Sequence, residues 1–455
     1  MIIYPITLFF EVEFDIVRQH LAARAVTSHA KKRLQNLTPF STANEAKIAL
    51  IEVNELLSLY QNETYFPALA SAEVDEILLR LKVKNAVLLA EECMLVKEMV
   101  ESYNNLHRFF FNQKELTPSL QHHFIGFEPN KEIPTEIERV FDIRGEVKTS
   151  ASDELSSIRH QLSRKRVAAD RIFYKVVKKY EAAGILGNIS ETVHQDRRVL
   201  AVNAAYKSQA NGIFHGRSAK QSLIFLEPAE TIEINNEIAL LLDEEKREIK
   251  RILKVLTAFI AVYRHEIADF ARIMRDIDFV NAKARYAHAE EAVLPVLSTK
   301  PEIDIIAGIN PVLRFYNGQK KKSVVALDVS LKEGQRILVI SGPNAGGKSI
   351  TLKTVGLLQL MIQSAVLVPA NARSTFGWFA NVMADIGDAQ SIENELSTYS
   401  SKLGKMTHIL EHANPKSLVL IDEFGSGSDP ELGSALAQVF LEEIAKYGAF
   451  AVLTT

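Results

Sequence analysis

The chain has 455 residues, a formal net charge of -3 and a single cysteine, Cys93. This length allows about two to four domains. The near-neutral charge excludes recruitment of nucleic acid by a bulk field, so such a partner would need a local basic patch, and one cysteine excludes a disulfide framework and fits a reducing compartment. The apolar N-terminus is interrupted by acidic residues and has no basic start, so no signal peptide is expected. No apolar run reaches the roughly 18 residues of a membrane span, which makes a cytoplasmic location the default expectation.

Glycine content divides the chain into regions of different character. Residues 1–125 contain none, residues 126–300 contain six and residues 301–455 contain fourteen. In the first region, stretches such as "ANEAKIALIEVNELLSLYQ" place apolar residues three and four positions apart, which is typical of amphipathic helices. We therefore predict a helical core domain over residues 1–150.

Two long helical patterns follow, with a different pattern between them. Residues 151–186 form the first, and residues 229–300 form the second, which has no glycine or proline from Ala229 to Leu294. A helix of some 45 residues in this second stretch would be about 70 Å long. Between them, residues 187–228 hold short apolar runs bounded by turn residues, which favours strands. The pattern predicts an antiparallel pair of lever helices capped by a small β tip; a plain helical bundle with an irregular loop is the alternative.

Residues 301–455 alternate apolar strand patterns with helical ones, which predicts a parallel α/β domain. Within it, "VISGPNAGGKSITLKTVG" has the spacing of a phosphate-binding loop. Glycines let the backbone N–H groups and the helix N-terminus face phosphates, the lysine would neutralise the outer phosphates, and the serine hydroxyl would ligate Mg²⁺. The predicted ATP-binding residues are Gly342, Pro343, Asn344, Ala345, Gly346, Gly347, Lys348 and Ser349.

A second motif, "SLVLIDE", ends an apolar strand with two carboxylates. At the edge of the sheet beside the loop, Asp422 would hold the Mg²⁺, usually through water, and Glu423 would polarise the attacking water as the catalytic residue. A solvated strand end is the alternative for such a pair alone. The predicted cofactors are ATP and Mg²⁺. No "LSGGQ"-like segment precedes this strand, which argues against an ABC transporter ATPase.

Four segments resemble the MutS family in order and spacing: "SGPNAGGKS", "DIGDAQSIENELSTYSS", "DEFGSGSDPELGSALA" and "VLTT". Others, such as "GIFHGRSAKQSLIFLEP" and "DFVNAKARYA", resemble its second branch, whose members lack the mismatch-reading N-terminal domain and typically end in an Smr nuclease domain. The resemblance implies a P-loop ABC-type ATPase domain carried by a helical core, lever helices and a β clamp. It also implies that Ser397 contacts the nucleotide of a partner subunit, which requires a homodimer; a helix-capping role is the alternative for this serine.

Basic residues on the first lever and on the tip are the candidates for contacts with a nucleic-acid backbone. The lever from Leu155 to Tyr180 carries eight Lys or Arg residues against one acid, Asp170, although a solvated helix face is the usual meaning of such a run. No aromatic wedge or base-reading helix can be singled out, so the expected contacts are to phosphates. The candidates are Arg164, Lys165, Arg166, Arg197, Arg198, Lys207, His215 and Arg217.

The resemblance implies an ATP-dependent homodimeric clamp that binds and hydrolyses ATP to control its grip on branched or mismatched DNA, in DNA repair or in suppression of recombination. Two alternatives stay open: a rescue factor for stalled ribosomes, and a structural ATP switch of the chromosome-organising ABC type. The sequence closes on "AFAVLTT", inside an apolar strand pattern. We therefore expect a fragment with weak ATP hydrolysis, reduced dimerisation and no nuclease activity.

Overall fold

The computed structural model describes residues 1–71, 73–194, 197–218, 221–320, 322–343, 347–387, 395–424 and 430–455, with the side chains at 188–189, 395–401, 430–432 and 434 excepted. The chain forms two compact units. The first unit comprises Met1–Ala72, Glu101–Pro129 and Asp269–Thr455, and the second comprises Glu73–Val100 and Asn130–Ala268. The domain boundary predicted at residue 150 does not coincide with a boundary between the two units, because residues 1–150 contribute to both.

The described helices, in chain order, are α1 (Leu8–Glu11), α2 (Phe14–Ala22), α3 (Ser28–Gln35), α4 (Ala43–Gln61), α5 (Asp75–Arg80), α6 (Ala90–Asn112), α7 (Glu132–Val140), α8 (Asp153–Ala182), α9 (Ala229–Val262), α10 (Arg264–Ala289), α11 (Pro311–Gln319), α12 (Lys348–Gln363), α13 (Glu395–His412) and α14 (Pro430–Lys446). Short 3-10 turns cover Leu120–Phe124, Thr149–Ala151 and Ala204–Gln209. None of these helices has the length and hydrophobicity that a membrane crossing needs.

The described strands are β1 (Ile2–Tyr4), β2 (Leu186–His194), β3 (Arg197–Asn203), β4 (Gly212–Arg217), β5 (Leu223–Pro228), β6 (Val296–Leu297), β7 (Ile303–Gly308), β8 (Leu327–Leu331), β9 (Ile337–Ile340), β10 (Thr375–Phe376), β11 (Asn381–Asp385), β12 (Ser417–Ile421) and β13 (Phe450–Thr454). They form a five-stranded sheet in the order β1-β11-β12-β13-β9 and a four-stranded sheet in the order β6-β10-β7-β8, both in the first unit. The second unit holds a four-stranded sheet in the order β2-β3-β5-β4.

The five-stranded sheet is parallel throughout. Every residue of β11, β12 and β13 is buried, as expected when helices cover both faces of a parallel sheet. Helices α13 and α14 pack on one face, where Val419 and Leu453 belong to a single apolar cluster. Helix α12 approaches the other face so closely that a Cβ at Gly356 would lie 2.5 Å from the Leu420 side chain, which explains a glycine in the middle of this helix.

The sheet edge beside β11 is formed by the N-terminus of the chain. Ile2, Ile3 and Tyr4 pair in parallel with Asn381, Val382 and Met383, respectively. From the sequence, these residues are predicted to belong to the helical core. The structure instead makes them a strand, because three residues of high β-propensity meet an unpaired row of backbone groups on β11.

Helix α10 connects the first unit's helices through buried polar side chains. The carboxylate of Asp278, which has no exposed surface, accepts hydrogen bonds from the backbone N–H groups of Val26 and Thr27, at 3.0 and 2.7 Å, and from the Thr27 hydroxyl at 2.8 Å. Thr27 is itself the N-cap of α3. One turn further along α10, the buried Lys283 ammonium donates to the carbonyl of Ser364 at 2.9 Å, at the C-terminus of α12. The "DFVNAKARYA" segment thus fixes the ends of two other helices.

In the second unit, α8 and α9 pack side by side in opposite directions. Ser152, Arg159 and Lys179 contact Glu248, Glu245 and Glu230 in turn, so rising numbers on one side meet falling numbers on the other. Both helices lead into the antiparallel sheet, whose core includes Phe173 of α8 and Leu226 of β5. The observed helix is shorter than the predicted one of some 45 residues, because α9 has 34 residues and ends at Val262. Tyr263 leaves helical geometry before α10 begins.

Candidate nucleotide-binding site

The phosphate-binding loop lies between β9 and α12, at the edge of the sheet where the parallel strands end. Gly342 and Gly347 have φ values of 149° and 83°, which only glycine adopts readily. Gly347 is the N-cap of α12, so the first N–H groups of this helix are directed toward the loop. Of the predicted loop, Asn344, Ala345 and Gly346 lie outside the described residues. The described ends have the strand-loop-helix form in which such loops hold phosphates.

Lys348 is the first residue of α12, and its side chain reaches back across the loop. The residue is only 8% exposed. Its Nζ donates to the main-chain oxygen of Thr455 at 2.7 Å and also to that of Gly342. These contacts keep a positive charge at the edge of the sheet, where the loop would place the outer phosphates.

Asp422 follows β12 directly and is oriented by three hydrogen bonds to one carboxylate oxygen. Its Oδ1 accepts from the Ser349 hydroxyl at 3.0 Å, from the Glu423 N–H at 3.2 Å and from the Thr454 hydroxyl. None of these bonds uses Oδ2. A serine hydroxyl beside a fixed carboxylate is a set of oxygen ligands that suits Mg²⁺, so the side chains of Ser349 and Asp422 fit the ion that the sequence implies.

The Glu423 backbone is held in an unusual conformation. Its φ is 49°, in the left-handed region that non-glycine residues seldom adopt. Its N–H donates to the Thr454 hydroxyl at 2.9 Å, and its carbonyl accepts from Lys402 Nζ at 3.0 Å. Strain of this kind costs about 1–3 kcal/mol and persists where surrounding contacts fix it, often at functional sites. Thr454 and Lys402 are not among the site residues predicted from the sequence. The available signal for Thr454 was its place at the end of β13, at the same edge of the sheet.

A second ion pair lies beside this site. Asp385 ends β11, and its carbonyl accepts from the Asp422 N–H at 2.9 Å while its carboxylate binds Lys405 Nζ at 2.8 Å. Burial alone would lower the pKa of Lys405, but the hydrogen bond and charge of Asp385 outweigh it and hold that pKa above its usual range. Burial also raises the pKa of the nearby Glu11 carboxyl. Only the position of Asp385 at the end of a buried strand could have indicated this pair in the sequence.

Ser397 lies on α13, five residues before Lys402, and its side chain is outside the described part of the chain. Its contact with a partner's nucleotide therefore stays a prediction. The backbone of α13 does connect this position to the site, because the same helix carries the Lys402 and Lys405 contacts to Glu423 and Asp385.

The basic residues of α8 face acids that a count along α8 alone does not include. Helix α9 supplies Glu245, Glu237 and Glu230, which pair with Arg159, with Lys165 and with Lys179. The Arg159 pair is 2.7 Å long and the Lys179 pair 3.4 Å. Part of the charge on the first helix thus holds the two helices together.

Three predicted nucleic-acid contacts on the antiparallel sheet are engaged within the unit. The Arg197 guanidinium binds both carboxylate oxygens of the fully buried Glu227, at 2.8 and 2.9 Å, and His215 Nε2 lies 2.7 Å from the same carboxylate. Burial alone would raise the pKa of Glu227, but hydrogen bonds from Asn235, His215 and Arg197 outweigh it and hold that pKa below its usual range. Arg198 pairs with Asp170 at 2.7 Å and with Glu191 at 2.5 Å.

The other predicted contact residues are exposed. Arg164 and Arg166 lie on α8, Arg217 ends β4, and Lys207 lies 5.0 Å from the Phe214 ring centre. Within the described part of the chain, no ion pair forms at Arg164, Arg166 or Arg217. Their charges are thus available to a ligand.

Comparison with known proteins agrees with this geometry. Residues 338–455, which hold the phosphate-binding loop, Asp422 and Glu423, match the family model of MutS domain V, a P-loop ATPase domain. Over 446 residues, the chain is 34% identical to Endonuclease MutS2 of Clostridium botulinum (strain Eklund 17B / Type B) and 33% identical to that of Clostridium beijerinckii. Each alignment covers 98% of this chain and 56% of the relative, so the chain spans little more than half the length of the curated relatives it matches. The similarity extends through both units, and the chain belongs to the MutS family.

Proposed function

We propose that this chain is the ATP-binding and DNA-binding part of a homodimeric clamp that hydrolyses ATP to control its grip on branched or mismatched DNA. The observation that carries the proposal is the arrangement of the Ser349 hydroxyl and the Glu423 N–H around one carboxylate oxygen of Asp422, beside Lys348 at the start of α12. Relatives named Endonuclease MutS2 support a role on DNA. Their nuclease activity is not part of the proposal.

Each residue has a distinct chemical task in hydrolysis. Lys348 and the N-terminus of α12 hold the charge of the outer phosphates. Ser349 and Asp422 would hold Mg²⁺, which neutralises phosphate charge when bound. Glu423 accepts a hydrogen bond from, and so orients, the water that attacks the terminal phosphate. The hydrogen bond from its backbone N–H to the Thr454 hydroxyl fixes the position of the backbone that carries this carboxylate.

The dimer enters through α13. In the proposed assembly, Ser397 contacts the nucleotide bound by the partner subunit, while Lys402 and Lys405 on the same helix contact Glu423 and Asp385 of their own subunit. Binding of a nucleotide by one subunit would therefore act on the helix that reaches the other. Two composite sites would form together or not at all, which couples ATP to the closed state of the clamp.

The second unit supplies the lever and the grip in this proposal. Helices α8 and α9 form the levers, and the sheet β2-β3-β5-β4 forms the clamp tip that meets a nucleic-acid backbone. The residues proposed to bind phosphate are the exposed Arg164, Arg166, Lys207 and Arg217. Arg197, Arg198, His215 and Lys165 would act mainly by holding the tip and levers in shape, since each already pairs with an acid.

Replacing Arg164, Arg166 and Arg217 with alanine is expected to weaken DNA binding by about tenfold or more, equally for all sequences. Each lost phosphate contact should also reduce the slope of log affinity against log salt by about 1. Fluorescence anisotropy with a labelled duplex at several salt concentrations measures both effects. The matched control replaces three exposed lysines of the first unit, Lys31, Lys32 and Lys47, which changes the net charge by the same amount.

If the arginine variant and the control bind DNA alike, the tip and α8 do not contact phosphates. The target itself is tested by titrating the parent protein, at one salt concentration, with a four-way junction, a mismatched duplex, a linear duplex and ribosomes. Preference for the junction or the mismatch supports the proposal. Preference for ribosomes would favour the rescue factor, and equal binding to all DNA would favour the structural switch.

A further inference from the structure

Helix α4 and the 3-10 turn Leu120–Phe124 of the first unit bring two histidines over one carboxylate. Glu55 of α4 accepts hydrogen bonds from the backbone N–H groups of Ser119 and Leu120, at 2.9 and 3.2 Å, and so fixes the start of the turn. One helical turn before Glu55 on α4, Glu52 faces His122 and His123, which lie in the same 3-10 turn. The attachment of the turn through Glu55 determines that these three side chains meet.

The distances between them are close to those between the ligand atoms of a metal ion. Glu52 Oε1 lies 3.7 Å from His122 Nε2 and 3.4 Å from His123 Nε2, and the three potential ligand atoms lie within 4.8 Å of one another. In a tetrahedral zinc site with bonds of about 2.0–2.1 Å, neighbouring ligand atoms are about 3.3–3.4 Å apart. Direct hydrogen bonds would be shorter, at about 2.7–3.2 Å. A small inward movement of these side chains would complete the coordination.

The hydrogen bonding of the two rings supports this interpretation. His122 Nδ1 contacts the carbonyl of Ser119, which places a proton on Nδ1 and leaves Nε2 with a lone pair directed toward Glu52. A backbone carbonyl on the far ring nitrogen is the usual partner of a metal-binding histidine. His123 Nε2 is buried and has no hydrogen-bond partner in the described structure. A buried imidazole nitrogen without a partner is costly, and a cation between the three groups would remove that cost.

From these contacts we infer that Glu52, His122 and His123 form a site for a divalent transition-metal ion, with Zn²⁺ as the favoured ion. Two imidazoles and a carboxylate suit zinc, whereas Mg²⁺ and Ca²⁺ prefer oxygen ligands alone. The ion would join α4 to the 3-10 turn and so stabilise the first unit. Its fourth position is open to water or to another ligand.

The surroundings of Glu52 indicate the conditions for a test. The charge of Lys283 acts on Glu52, so an ammonium there would oppose a metal ion. Burial lowers the pKa of Lys283 to about 7. At pH 8 this side chain is therefore mostly neutral. Metal binding is best measured at this pH, with excess Mg²⁺ present to fill the oxygen ligands at Asp422.

The test is titration of the parent protein with Zn²⁺ and, separately, with Co²⁺. We expect saturable Zn²⁺ binding, a rise in melting temperature, and the visible absorption of tetrahedral Co²⁺. Replacing His122, whose side chain is 56% exposed, with alanine should weaken binding by at least about a hundredfold, more than loss of an outer hydrogen-bond partner costs. Glu52→Gln, which keeps the shape of the side chain, should do the same if His122→Ala fails to fold.

A second histidine pair provides the control. His408 and His412 lie one turn apart on α13 with Glu411 between them and could bind a metal ion on their own. His408→Ala should leave the site at Glu52 unchanged. The proposal is overturned if the parent binds no Zn²⁺, if His122→Ala and Glu52→Gln bind it like the parent, or if His408→Ala alone removes the binding.

Discussion

Lys348→Ala is expected to abolish ATP binding, whereas Glu423→Gln is expected to retain it and to lose turnover by about a hundredfold or more. The two residues act on different groups. Lys348 holds its charge at the loop through contacts with Gly342 and Thr455, where the terminal phosphates would bind. In the proposed mechanism Glu423 contributes a carboxylate that orients water, and glutamine cannot accept a proton in the same way. A fluorescent nucleotide titration measures the first effect and phosphate release the second, under conditions where the parent releases phosphate.

Lys353→Ala is the matched control for this pair of variants. Lys353 lies on the same helix, about one turn beyond Lys348, and contacts Glu13 at 3.4 Å. Its removal takes one positive charge from α12 without touching the loop, so ATP affinity should stay at the parent value. Equal ATP affinity in Lys348→Ala and the parent would contradict the assignment of the loop. Hydrolysis at the parent rate in Glu423→Gln would show that another residue orients the water.

The elements around the nucleotide site could be predicted because their sequence signals are local. Strands β12 and β13 are continuous apolar runs, and α12 begins at a glycine-rich turn with a fixed spacing. The contacts that orient the site could not be predicted in this way. Thr454 reaches Asp422 only because β13 lies beside β12 in the sheet, and strand order is a property of the whole fold. The positive φ of Glu423 likewise depends on contacts from two other elements.

In the second unit, too, local sequence signals do not show which charges pair or where a helix ends. The sequence shows the eight Lys and Arg residues between Leu155 and Tyr180. It does not show that α9 places glutamates opposite Arg159, Lys165 and Lys179. The helical period also continues through Tyr263 with no glycine or proline to mark an end. The break there is therefore set by tertiary packing, which overrides local propensity.

Lys283 is the clearest case of a residue whose meaning depends on burial. In the sequence it is one lysine of a helical segment. In the structure it is fully enclosed, its Nζ lies 4.4 Å from the Phe279 ring centre, and it donates to Ser364 at the C-terminus of α12. A cation at a helix C-terminus is favourable, but desolvation of a buried ammonium is a larger cost. Burial accordingly lowers its pKa to about 7.

Lys283→Met is expected to increase the stability of the first unit at pH 6 by roughly 2–3 kcal/mol, with an advantage that falls as pH rises from 7 to 10. Methionine fills a similar volume without charge. Because the pKa of Lys283 is near 7 in the folded chain and about 10.4 when unfolded, the unfolded state binds more protons between these values. Raising pH across this range therefore stabilises the parent by up to about 5 kcal/mol. The variant does not gain this energy, and it has lost a hydrogen bond worth about 1.5–3 kcal/mol at pH 6.

The measurement is urea unfolding of parent and variant at several pH values, followed by fluorescence of Trp378, the single tryptophan, which lies in the first unit. The difference between the two proteins isolates Lys283, since groups that titrate alike in both cancel. Lys283→Arg is the control, because a guanidinium stays charged across this range and should become less stable than the parent as pH rises. A parent-to-methionine difference that does not change between pH 6 and pH 10 would mean that the lysine titrates alike in the folded and unfolded chain, and burial would then not govern its charge.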